Sequence, residues 1–461
     1  MSGPGVFASK RVLVAGAGVT GPSVVRALLR EGASVTVTDA DEGRLAKLAD
    51  SVDGLGVAEP AVGLTEPPAG TDLVVTAPGW KPTAPLLVAA ADAGIEVIGD
   101  VELAWRLCRR MDEPSAWLVV TGTNGKTTTV GMLESILKAA GLDAIACGNI
   151  GLPVLEAIEG GHRVLAVELS SFQLHWAPSV RPVAGALLNI AEDHLDWHGS
   201  LEAYAQAKAR VLTGDVAIGG VDDPYVAKLL VNSPAARKVG VTLEEPLADQ
   251  LGVHDGKLVD RAFGDADLVD VDDVRPGGPP GLTDALVAAA VARAYGVTAQ
   301  AVADGLRAYR PAAHRAAVVA EQGGITYVND SKATNPHAAA ASIRAHDRVV
   351  WIAGGLLKGA SVDDLVAETA PRLAGVVLIG QDRDVIAAAL ARHAPDVPVS
   401  QVATGDDDAM TRAVDLAGAM AHPGDVVLLA PAAASMDMFT DYGHRGRAFA
   451  EAVLTRLGLP T

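Results

Sequence analysis

Short apolar runs alternate with helical periodicity over the first hundred residues. The runs cover residues 11–15, 33–38, 73–76 and 95–98, and a pattern with helical spacing follows the first of them as far as Arg30. Strands that alternate with helices form a parallel sheet, because each helix returns the chain to the same end of the sheet. The pattern therefore predicts a parallel α/β domain that ends near Pro114.

The same alternation starts again twice. One set of predicted elements has strands at 117–120, 164–169 and 185–189 and helices from Lys126, at 201–212 and at 283–295; the next has strands at 349–352, 376–379 and 426–429. Residues 232–280 show neither periodicity and are predicted to be irregular. We predict an α/β protein of three domains: an N-terminal Rossmann-like domain at 1–113, a central P-loop mononucleotide-binding sheet at 114–311 and a C-terminal Rossmann-like domain at 312–461.

Composition narrows the class of protein. Hydrophobic residues make up 49% of the 461 residues, which excludes a disordered chain, and a formal net charge of -19 opposes binding to nucleic acid. The two cysteines, Cys108 and Cys147, form neither a CxxC pair nor a zinc pattern and suit a reducing compartment. Met1–Lys10 lacks the apolar segment of a signal peptide, and no apolar run approaches the ~18 residues of a membrane span. We expect a cytoplasmic monomer with no nucleic-acid or membrane partner.

Two glycine loops each follow a predicted strand. The first has Gly16, Gly18 and Gly21 in GxGxxG spacing, with Asp39 at the end of the next strand. Glycines let the backbone approach a diphosphate, and the N-terminus of the following helix offers N–H donors and a positive dipole. This loop alone does not distinguish NAD from a UDP-linked ligand, and a turn without any ligand has the same pattern.

The second loop is a stronger indication of a nucleotide. The sequence Gly122-Thr123-Asn124-Gly125-Lys126-Thr127-Thr128 follows a predicted strand and precedes a helix. Its N–H groups can surround phosphates, Lys126 can reach the β- and γ-phosphates, and Thr127 can bind Mg²⁺. Two residues separate its glycines, where the commonest P-loop has four. One chain with both loops indicates a substrate that carries a nucleotide and a second nucleotide, ATP, that supplies energy.

Five motifs, in order along the chain, resemble those of the Mur ligase family. They are GTNGKTT at 122–128, GNIG at 148–151, ELSSFQ at 168–173, EDH at 192–194 and NDSKATN at 329–335. The glycine loop of the first domain, Thr-Asn in the ATP loop and PAAAS at 431–435 make the chain most similar to members that add D-glutamate to UDP-N-acetylmuramoyl-L-alanine. The resemblance covers nearly the whole chain. It implies an ATP-dependent, ADP-forming ligase of peptidoglycan precursor synthesis that works through an acyl phosphate, with two Mg²⁺ sites.

The resemblance also implies roles for residues of this sequence. The implied catalytic residues are Lys126, Glu168, His194 and Lys208, and the implied metal ligands are Thr127, Glu168, His194 and Lys208 as a carbamate. The implied ATP-binding residues are Gly122, Thr123, Asn124, Gly125, Lys126, Thr127, Thr128, Asp284, Arg315, Asn329 and Asp330. The UDP-linked substrate is expected to contact Val19, Thr20, Asp39, Ala40, Gly79, Asn149, Ser170, Gln173 and His194, and D-glutamate to contact Lys332, Thr334, Lys358, Ser435, Met436 and Tyr442.

Some of these residues also have an ordinary structural interpretation. On composition alone, Lys208 is a solvated helix lysine, and Arg315 lies at a domain joint where a linker arginine is plausible. The sequence departs from the family at 279–284, where PPGLTD replaces a His-Asn pair that helps to hold adenine and leaves Asp284 as the polar candidate. The loop at 354–358 lacks an acidic residue that relatives often carry.

Three other interpretations stay open. A folate polyglutamate ligase or a cyanophycin-type ligase shares the fold class, although the folate enzyme begins at the ATP loop. An NAD-dependent oxidoreductase leaves residues 122–128 and Glu168 without a role, and a non-catalytic nucleotide sensor does not need Lys126, Glu168 and Lys208. Under the ligase interpretation we expect the domains to close before chemistry, because an open cleft exposes an acyl phosphate to water.

Overall fold

The chain forms two compact units. A computed structural model describes residues 7–52, 58–311, 314–402 and 408–460. The first unit comprises Met1–Ile190, Glu202–Val274 and Thr283–Tyr309, and the second comprises Ala191–Leu201, Arg275–Leu282 and Arg310–Thr461. The domain limits at 113/114 and 311/312 stay predictions, and residues 312 and 313 lie outside the described part of the chain.

The first sheet of the first unit has its described strands in parallel, as predicted. Its strands are β1 (Arg11–Ala15), β2 (Ser34–Asp39), β3 (Ala58–Val62), β4 (Leu73–Thr76) and β5 (Glu96–Gly99), and its helices are α1 (Gly21–Arg30), α2 (Glu42–Ser51), α3 (Pro85–Asp92) and α4 (Asp100–Cys108). In the order β3-β2-β1-β4-β5, β1 lies in the middle, and Ala15 is in register with Thr38 and Thr76. The residues that follow β1, β2 and β4 therefore share the carboxyl edge of this sheet, where α/β proteins bind ligands.

The second sheet is larger and has β6 near its centre. Its strands are β6 (Ala116–Thr121), β7 (Ala144–Gly148), β8 (Val164–Glu168), β9 (Ala184–Leu187), β10 (Val216–Gly220), β11 (Arg237–Val241), β12 (Gln250–His254), β13 (Lys257–Asp260) and β14 (Ala266–Asp270). They follow the order β14-β13-β12-β11-β10-β9-β6-β8-β7. Both faces of β6 are buried, which is typical of a parallel strand with helices on both sides of its sheet.

The chain between Lys126 and Ala308 also forms helices and two short 3-10 turns. The helices are α5 (Lys126–Ala139), α6 (Val154–Glu159), α7 (Ser171–His175), α8 (Leu195–His198), α9 (Leu201–Ala209), α10 (Pro224–Val231), α11 (Gly278–Ala294) and α12 (Ala299–Ala308), and the turns are Arg210–Thr213 and Val271–Asp273. The helix predicted at 201–212 thus ends at Ala209 and continues as a 3-10 turn.

The prediction that residues 232–280 are irregular was wrong, because they contain β11 to β14. β11 and β12 continue the parallel part of the sheet, whereas β12, β13 and β14 pair antiparallel. Asp255 and Gly256 join β12 to β13 with φ of 48° and 73°. Asp-Gly between two strands is a hairpin signal that the sequence contained. Strands of four or five residues with uneven burial are too short to show a clear period.

The second unit contains the third sheet. Its strands are β15 (Ala317–Gln322), β16 (Ile325–Asn329), β17 (Val349–Gly354), β18 (Leu373–Ile379), β19 (Val399–Gln401) and β20 (Val426–Leu429), and its later helices are α13 (Pro336–Arg344), α14 (Asp363–Thr369), α15 (Arg383–His393), α16 (Ala409–Met420) and α17 (Tyr442–Leu457), with a 3-10 turn at Ala370–Arg372. The order is β15-β16-β20-β17-β18-β19, and only the β15–β16 pair is antiparallel among the described strands. Within the described ranges, every helix is too short or too polar to cross a bilayer.

Candidate active site

The second glycine loop connects β6 to α5 in the middle of the second sheet. Gly125 has φ of 84° and directly precedes α5. A Cβ at this position would lie 2.2 Å from Oδ1 of Asp284, so the loop needs glycine for its conformation and for space. Backbone N–H groups at the start of a helix bind phosphate oxygens, and the helix dipole favours their negative charge. We therefore call residues 122–128 the phosphate loop.

Asn189 holds the phosphate loop on one side. Its Oδ1 accepts a hydrogen bond from Asn124 N at 2.8 Å, its Nδ2 donates to Asn124 O at 3.2 Å, and its backbone O accepts from Thr123 N at 3.0 Å. The sequence interpretation did not single out Asn189. The available signal was its place at the end of the run 185–189, since polar residues that end a parallel strand lie at the ligand-binding edge.

Two lysines donate hydrogen bonds to carbonyl groups of the phosphate loop. Lys126 Nζ lies 3.0 Å from Gly122 O and 2.9 Å from Thr123 O, and Lys208 Nζ lies 2.7 Å from Gly122 O. Lys208 is only 2% exposed, so its interpretation as a solvated helix lysine was wrong. Helix α9 turns this side chain inward, where the ring centre of Tyr204 lies 4.8 Å from Nζ. An amine is thereby buried directly under the phosphate loop.

Glu168 ends β8 beside the phosphate loop, and its side chain is buried. Its Oε2 accepts a hydrogen bond from Thr127 Oγ1 at 2.7 Å, and its Oε1 accepts one from Asn149 Nδ2 at 3.0 Å. A carboxylate next to a hydroxyl at the start of a phosphate-binding helix offers hard oxygen ligands, which Mg²⁺ prefers. Thr127 and Glu168 therefore fit a magnesium ion that also binds phosphate oxygens.

Asp284, the candidate for adenine recognition, lies behind the phosphate loop. Its Oδ1 accepts a hydrogen bond from Thr129 Oγ1 at 3.1 Å, in the first turn of α5. The same oxygen faces Gly125, and the side chain is buried. These contacts give Asp284 a part in the packing of the phosphate loop.

Ser170 and Gln173 form a capping box at the start of α7. Gln173 Oε1 accepts a hydrogen bond from Ser170 N at 3.0 Å, and Ser170 Oγ accepts one from Gln173 N at 3.2 Å. The reciprocal bonds satisfy two N–H groups that a helix start leaves without partners. The two side chains predicted to meet the UDP-linked substrate therefore also fix the start of this short helix.

The first glycine loop lies at the carboxyl edge of the first sheet. Gly16 has φ of 114°, and a Cβ there would lie 2.7 Å from the Cβ of Ala77. A Cβ on Gly18 would meet no atom within 4 Å. Asp39 Oδ2 accepts a hydrogen bond from Ala17 N at 2.9 Å and so ties this loop to the end of β2.

The other residues predicted to bind the UDP-linked substrate in this domain lie at the same edge. Val19 is 90% exposed, Thr20 precedes α1, Ala40 follows β2 and Gly79 follows β4. Since β2 and β4 flank β1, their carboxyl ends bring these positions to one side of the sheet. The loop offers backbone N–H groups, which suit a diphosphate, and the exposed apolar side chain of Val19, which suits the base of a nucleotide.

In the second unit, three neighbouring loops carry most of the residues predicted to bind D-glutamate. They follow β16, β20 and β17, which are adjacent in the sheet. Ala432 N donates to Ala333 O at 2.9 Å, and Leu356 and Ala434 exchange two backbone hydrogen bonds of 2.9 Å. The loops thereby bring together Lys332, Thr334, Lys358 and Ser435, followed by the exposed side chain of Met436. Lys332 Nζ also lies 3.8 Å from the ring centre of Tyr442.

A buried arginine of α17 supports these loops. Arg445 Nε donates to Ser331 Oγ at 3.0 Å, Nη2 donates to Ser331 O at 2.9 Å, and Nη1 donates to Ala433 O at 3.1 Å. Burial lowers the pKa of Arg445 to about 10, so the side chain keeps its charge at neutral pH. The sequence interpretation missed this residue, because Arg445 lies outside every motif and nothing in the surrounding sequence marks it.

Asn329 and Asp330 follow each other at the end of β16. Asn329 Nδ2 donates to Gly446 O at 2.7 Å and lies 3.1 Å from His314 Nδ1. Asp330 Oδ1 accepts a hydrogen bond from Ala316 N at 3.2 Å, and burial raises the pKa of this carboxyl despite the nearby charge of Arg315. Asn329 thus contacts the side chain of His314 and Asp330 the backbone of Ala316, the two residues that flank Arg315.

His194 precedes α8 with φ of 55°, and its Nε2 lies 3.5 Å from Asp193 Oδ2. It belongs to Ala191–Leu201 of the second unit, whereas Thr127, Glu168 and Lys208 belong to the first. The structure brings together the three predicted metal ligands of the first unit around the phosphate loop, and His194 is assigned to the other unit.

Three parts of the chain match domains of one family. Residues 10–99 match the Mur ligase MurD-like N-terminal domain, residues 120–255 match the Mur ligase middle domain, and residues 314–433 match the Mur ligase glutamate ligase domain. Solved structures with the same fold include MurF from Acinetobacter baumannii, with a TM-score of 0.61 at 18% identity over 91% of this chain and 90% of that chain. The UDP-N-acetylmuramate-alanine ligase MurC from Thermotoga maritima has a TM-score of 0.57 at 17% identity over 97% of this chain and 99% of that chain.

Sequence relatives give a finer comparison. Proteins from Mycolicibacterium vanbaalenii and Nocardia farcinica with the name UDP-N-acetylmuramoylalanine--D-glutamate ligase are each 55% identical to this chain. The similarity covers 96% of this chain in both cases and 97% and 96% of the two relatives. The resemblance inferred from the five motifs is thereby confirmed: the chain belongs to the Mur ligase family.

Proposed function

We propose that this protein joins D-glutamate to UDP-N-acetylmuramoyl-L-alanine and converts ATP to ADP and phosphate. The 55% identity to relatives of that name, over 96% of the chain, supports this pair of substrates. The observation that carries the chemistry is the phosphate loop, with Lys126 and Lys208 bonded to its carbonyls and Thr127 bonded to Glu168. An NAD-dependent oxidoreductase gives these four side chains no role.

In the first step, the carboxylate of the L-alanyl group attacks the γ-phosphorus of ATP. The bond from that phosphorus to the bridging oxygen breaks, ADP leaves, and an acyl phosphate forms. Negative charge stays on the phosphate oxygens throughout, so positioned cations and N–H groups supply most of the catalysis. Lys126 and the start of α5 provide them, after Lys126 exchanges its bonds to Gly122 O and Thr123 O for bonds to phosphate. Thr127 and Glu168 would hold Mg²⁺, which would supply further positive charge beside the phosphates.

In the second step, the amine of D-glutamate attacks the carbonyl carbon of the acyl phosphate. The C–O bond to phosphate breaks, the amine loses a proton, and the products are the amide and inorganic phosphate. D-glutamate carries two carboxylates, which cations and hydroxyls bind well. Lys332, Thr334, Lys358 and Ser435 offer these groups at one edge of the third sheet, with Met436 and Tyr442 beside them.

The remaining predicted residues have proposed places on the two nucleotides. In the first sheet, Val19, Thr20, Asp39, Ala40 and Gly79 bind the UDP part, and Asn149, Ser170 and Gln173 bind the muramoyl part. In the second unit, Arg315, Asn329 and Asp330 bind ATP. We further propose that the protein acts as a cytoplasmic monomer of three domains, without a nucleic-acid or membrane partner.

Lys208 is proposed to carry a carbamate. Its amine nitrogen forms a bond to the carbon of CO₂ and releases a proton, which converts a cation into an anionic oxygen ligand. The amine is buried under the phosphate loop, beside Gly122 O. The carbamate and His194 are the proposed ligands of a second Mg²⁺. We expect Lys208→Ala to lose activity and bicarbonate to raise the activity of enzyme prepared without CO₂. Full activity of the variant, with no effect of bicarbonate, would remove this proposal.

The proposed reaction is tested by the release of phosphate from ATP and Mg²⁺ in the presence of UDP-N-acetylmuramoyl-L-alanine. D-glutamate is compared with L-glutamate, L-alanine and diaminopimelate, and the amide product is identified by mass. We expect release with D-glutamate alone, and loss of release in Lys126→Ala. Release with a different amino acid would keep the chemistry and change the substrate. No release with any of them would refute the proposed function.

A further inference from the structure

The chain from Leu169 to Trp176, here called the substrate segment, contains the capping box of Ser170 and Gln173. We propose that Arg210 and Glu102 are positioning residues that hold this segment and thereby set the affinity for the UDP-linked substrate. This inference deepens the proposed function and rests on it. Neither residue belongs to a motif in the sequence.

Both ends of the substrate segment are tied to the chain around α9. At its start, Leu169 O accepts a hydrogen bond from Thr121 Oγ1 at 2.7 Å, and Lys208 Nζ donates to the same Oγ1 at 3.4 Å. At its end, Arg210 Nη1 donates to Leu174 O at 2.6 Å and also to His175 O. Arg210 follows Lys208 by two residues, so one turn of chain connects the buried lysine to the end of the substrate segment.

The charge of Arg210 suits this position. Helix α7 has only five residues, and the carbonyls at its C-terminal end carry the partial negative charge of the helix dipole. A helix this short is not stable alone, so side chains at its two ends decide its position. The capping box fixes the start, and the guanidinium of Arg210 binds two carbonyls at the end. Without Arg210, the end of the turn that carries Gln173 loses two charged hydrogen bonds and is held by backbone bonds alone, while the phosphate loop keeps its own contacts.

The first domain holds the chain that follows the segment. Gly99 N donates to Trp176 O at 2.9 Å, and a Cβ on Gly99 would lie 2.8 Å from the Cβ of Trp176. Glu102, on α4, is 0% exposed. It accepts hydrogen bonds from Ser179 Oγ at 2.6 Å and from Ser179 N at 3.0 Å.

The buried charge of Glu102 has a partner as well as these donors. Arg106 Nε donates to Glu102 Oε1 at 2.9 Å. A buried carboxylate with three donors is a strong and directional anchor, and loss of one partner leaves the others unpaired. Glu102 therefore joins helix α4, which follows the first sheet, to the chain that directly follows the substrate segment. Through this contact and the bond from Gly99 N to Trp176 O, the first sheet and its helices hold the end of the substrate segment in place.

The test compares Arg210→Ala and Arg210→Lys with the matched control Lys228→Ala. Lys228 lines the same cavity of about 600 Å³ as Arg210, and no hydrogen bond joins its side chain to the substrate segment among the described residues. For Arg210→Ala we expect the KM for UDP-N-acetylmuramoyl-L-alanine to rise at least tenfold and the KM for ATP to stay within twofold. Arg210→Lys keeps a cationic donor and should recover part of the affinity, and Lys228→Ala should change neither constant. Glu102→Gln should raise the same KM three- to tenfold.

A merely structural role gives a different result. In that case Arg210→Ala would lower the free energy of unfolding and would change both KM values alike, or neither, and this would overturn the inference. Calorimetry measures the binding of the UDP-linked substrate to each variant without ATP. Because this measurement does not require the reaction to occur, it tests the inference separately from the proposed function. Wild-type enzyme that binds this substrate but forms no amide with D-glutamate would refute the function alone. Equal binding by wild type and Arg210→Ala would refute the inference alone.

Discussion

The two sheets of the first unit place a glycine loop after a central strand, but they hold the two loops differently. The phosphate loop is bound by Asn189, by Lys208 and by its own Lys126. The first loop is held through the carboxylate of Asp39, and Val19 within it is 90% exposed. A small, highly charged group needs donors in fixed positions, whereas a larger nucleotide also needs an open surface.

Two buried carboxylates also differ, Glu168 beside the second sheet and Asp100 beside the first. Glu168 has a hydrogen-bond donor on each oxygen. Asp100, directly after β5, has no partner for Oδ1 among the described residues, and burial raises its pKa to about 6. A buried carboxylate with a donor on each oxygen is prepared for a charged ligand, and one with an oxygen that lacks a partner costs stability when ionised. Changes around the phosphate loop of the second sheet should therefore affect turnover or the affinity for ATP, and changes in the first sheet should alter the affinity for the UDP-linked substrate or the stability against pH.

The largest effect is expected at Glu168. Glu168→Ala removes the acceptor of Thr127 and Asn149 and the proposed magnesium ligand. We expect kcat to fall by about 10²- to 10³-fold, the range for loss of one preorganised electrostatic group, with binding of the UDP part nearly unchanged. Steady-state kinetics and calorimetry with UDP measure the two quantities. If kcat fell only threefold, or if UDP binding weakened as much as kcat, the two sheets would not have the separate roles proposed here.

Asp100 should control stability against pH. Its folded pKa of about 6 lies above the unfolded value near 3.8, so the native state binds the proton more tightly. The stabilising contribution is present below pH ~4 and is lost as pH rises through about 6; it amounts to about 3 kcal/mol. From pH 4 to pH 8, the unfolding free energy of Asp100→Asn relative to wild type should rise by up to that amount. Urea unfolding at the two pH values measures the difference, and parallel curves would contradict the assignment.

A methyl group added at two glycines, Gly125 and Gly18, should raise KM for different physical reasons. Gly125→Ala meets a φ of 84° and Oδ1 of Asp284 at 2.2 Å, so we expect the KM for ATP to rise at least tenfold. Gly18→Ala meets no atom within 4 Å, so the unfolding free energy should change by less than about 1 kcal/mol. Its Cβ nevertheless enters the space proposed for the diphosphate, so the KM for the UDP-linked substrate should rise. Tolerance of both changes for both substrates would show that neither loop approaches its ligand closely.

The smallest effects are expected from the residues that hold the loops from outside. Asn189→Ala removes two side-chain hydrogen bonds to Asn124, and Asp39→Ala removes one to Ala17. At about 0.5 kcal/mol for each of these partly exposed bonds, the KM for ATP should rise about fivefold in the first variant, and the KM for the UDP-linked substrate about twofold in the second. Each variant serves as the control for the other, because each should leave the other substrate's KM unchanged.

The sequence predicted the parts of this fold that long apolar runs and glycine loops mark. The strands before both loops, the parallel first sheet and the position of Glu168 at a strand end followed from the pattern. The short strands β11 to β14 did not, because their half-buried residues dilute a period of two. Lys208, Asn189 and Arg210 lie on a helix, a strand end and a 3-10 turn, where only tertiary packing decides which side chains turn inward.

Resemblance supplied what the residue pattern could not. It pointed to Lys208 as important when its composition suggested an ordinary surface lysine, and the structure gives the physical reason, since the amine lies under Gly122. It did not point to Arg445 or Glu102, which act through backbone groups of other segments. Residues of that kind become visible only when the distances are known.

Helix α5 starts at the phosphate loop, yet one of its packing partners lies about 170 positions later in the chain. Ser135 Oγ donates to Gly305 O at 2.7 Å, and a Cβ on Gly305 would lie 2.3 Å from the Cα of Ile136. During synthesis from the N-terminus, the face of α5 that carries Ser135 and Ile136 therefore stays uncovered until α12 has left the ribosome. The first sheet closes with residues up to about 108, long before that moment. A nascent chain halted near residue 290 should thus have a folded first sheet, while helix α5 after the phosphate loop still lacks its packing against α12. Folding of the ATP-binding part therefore depends on the synthesis of α12.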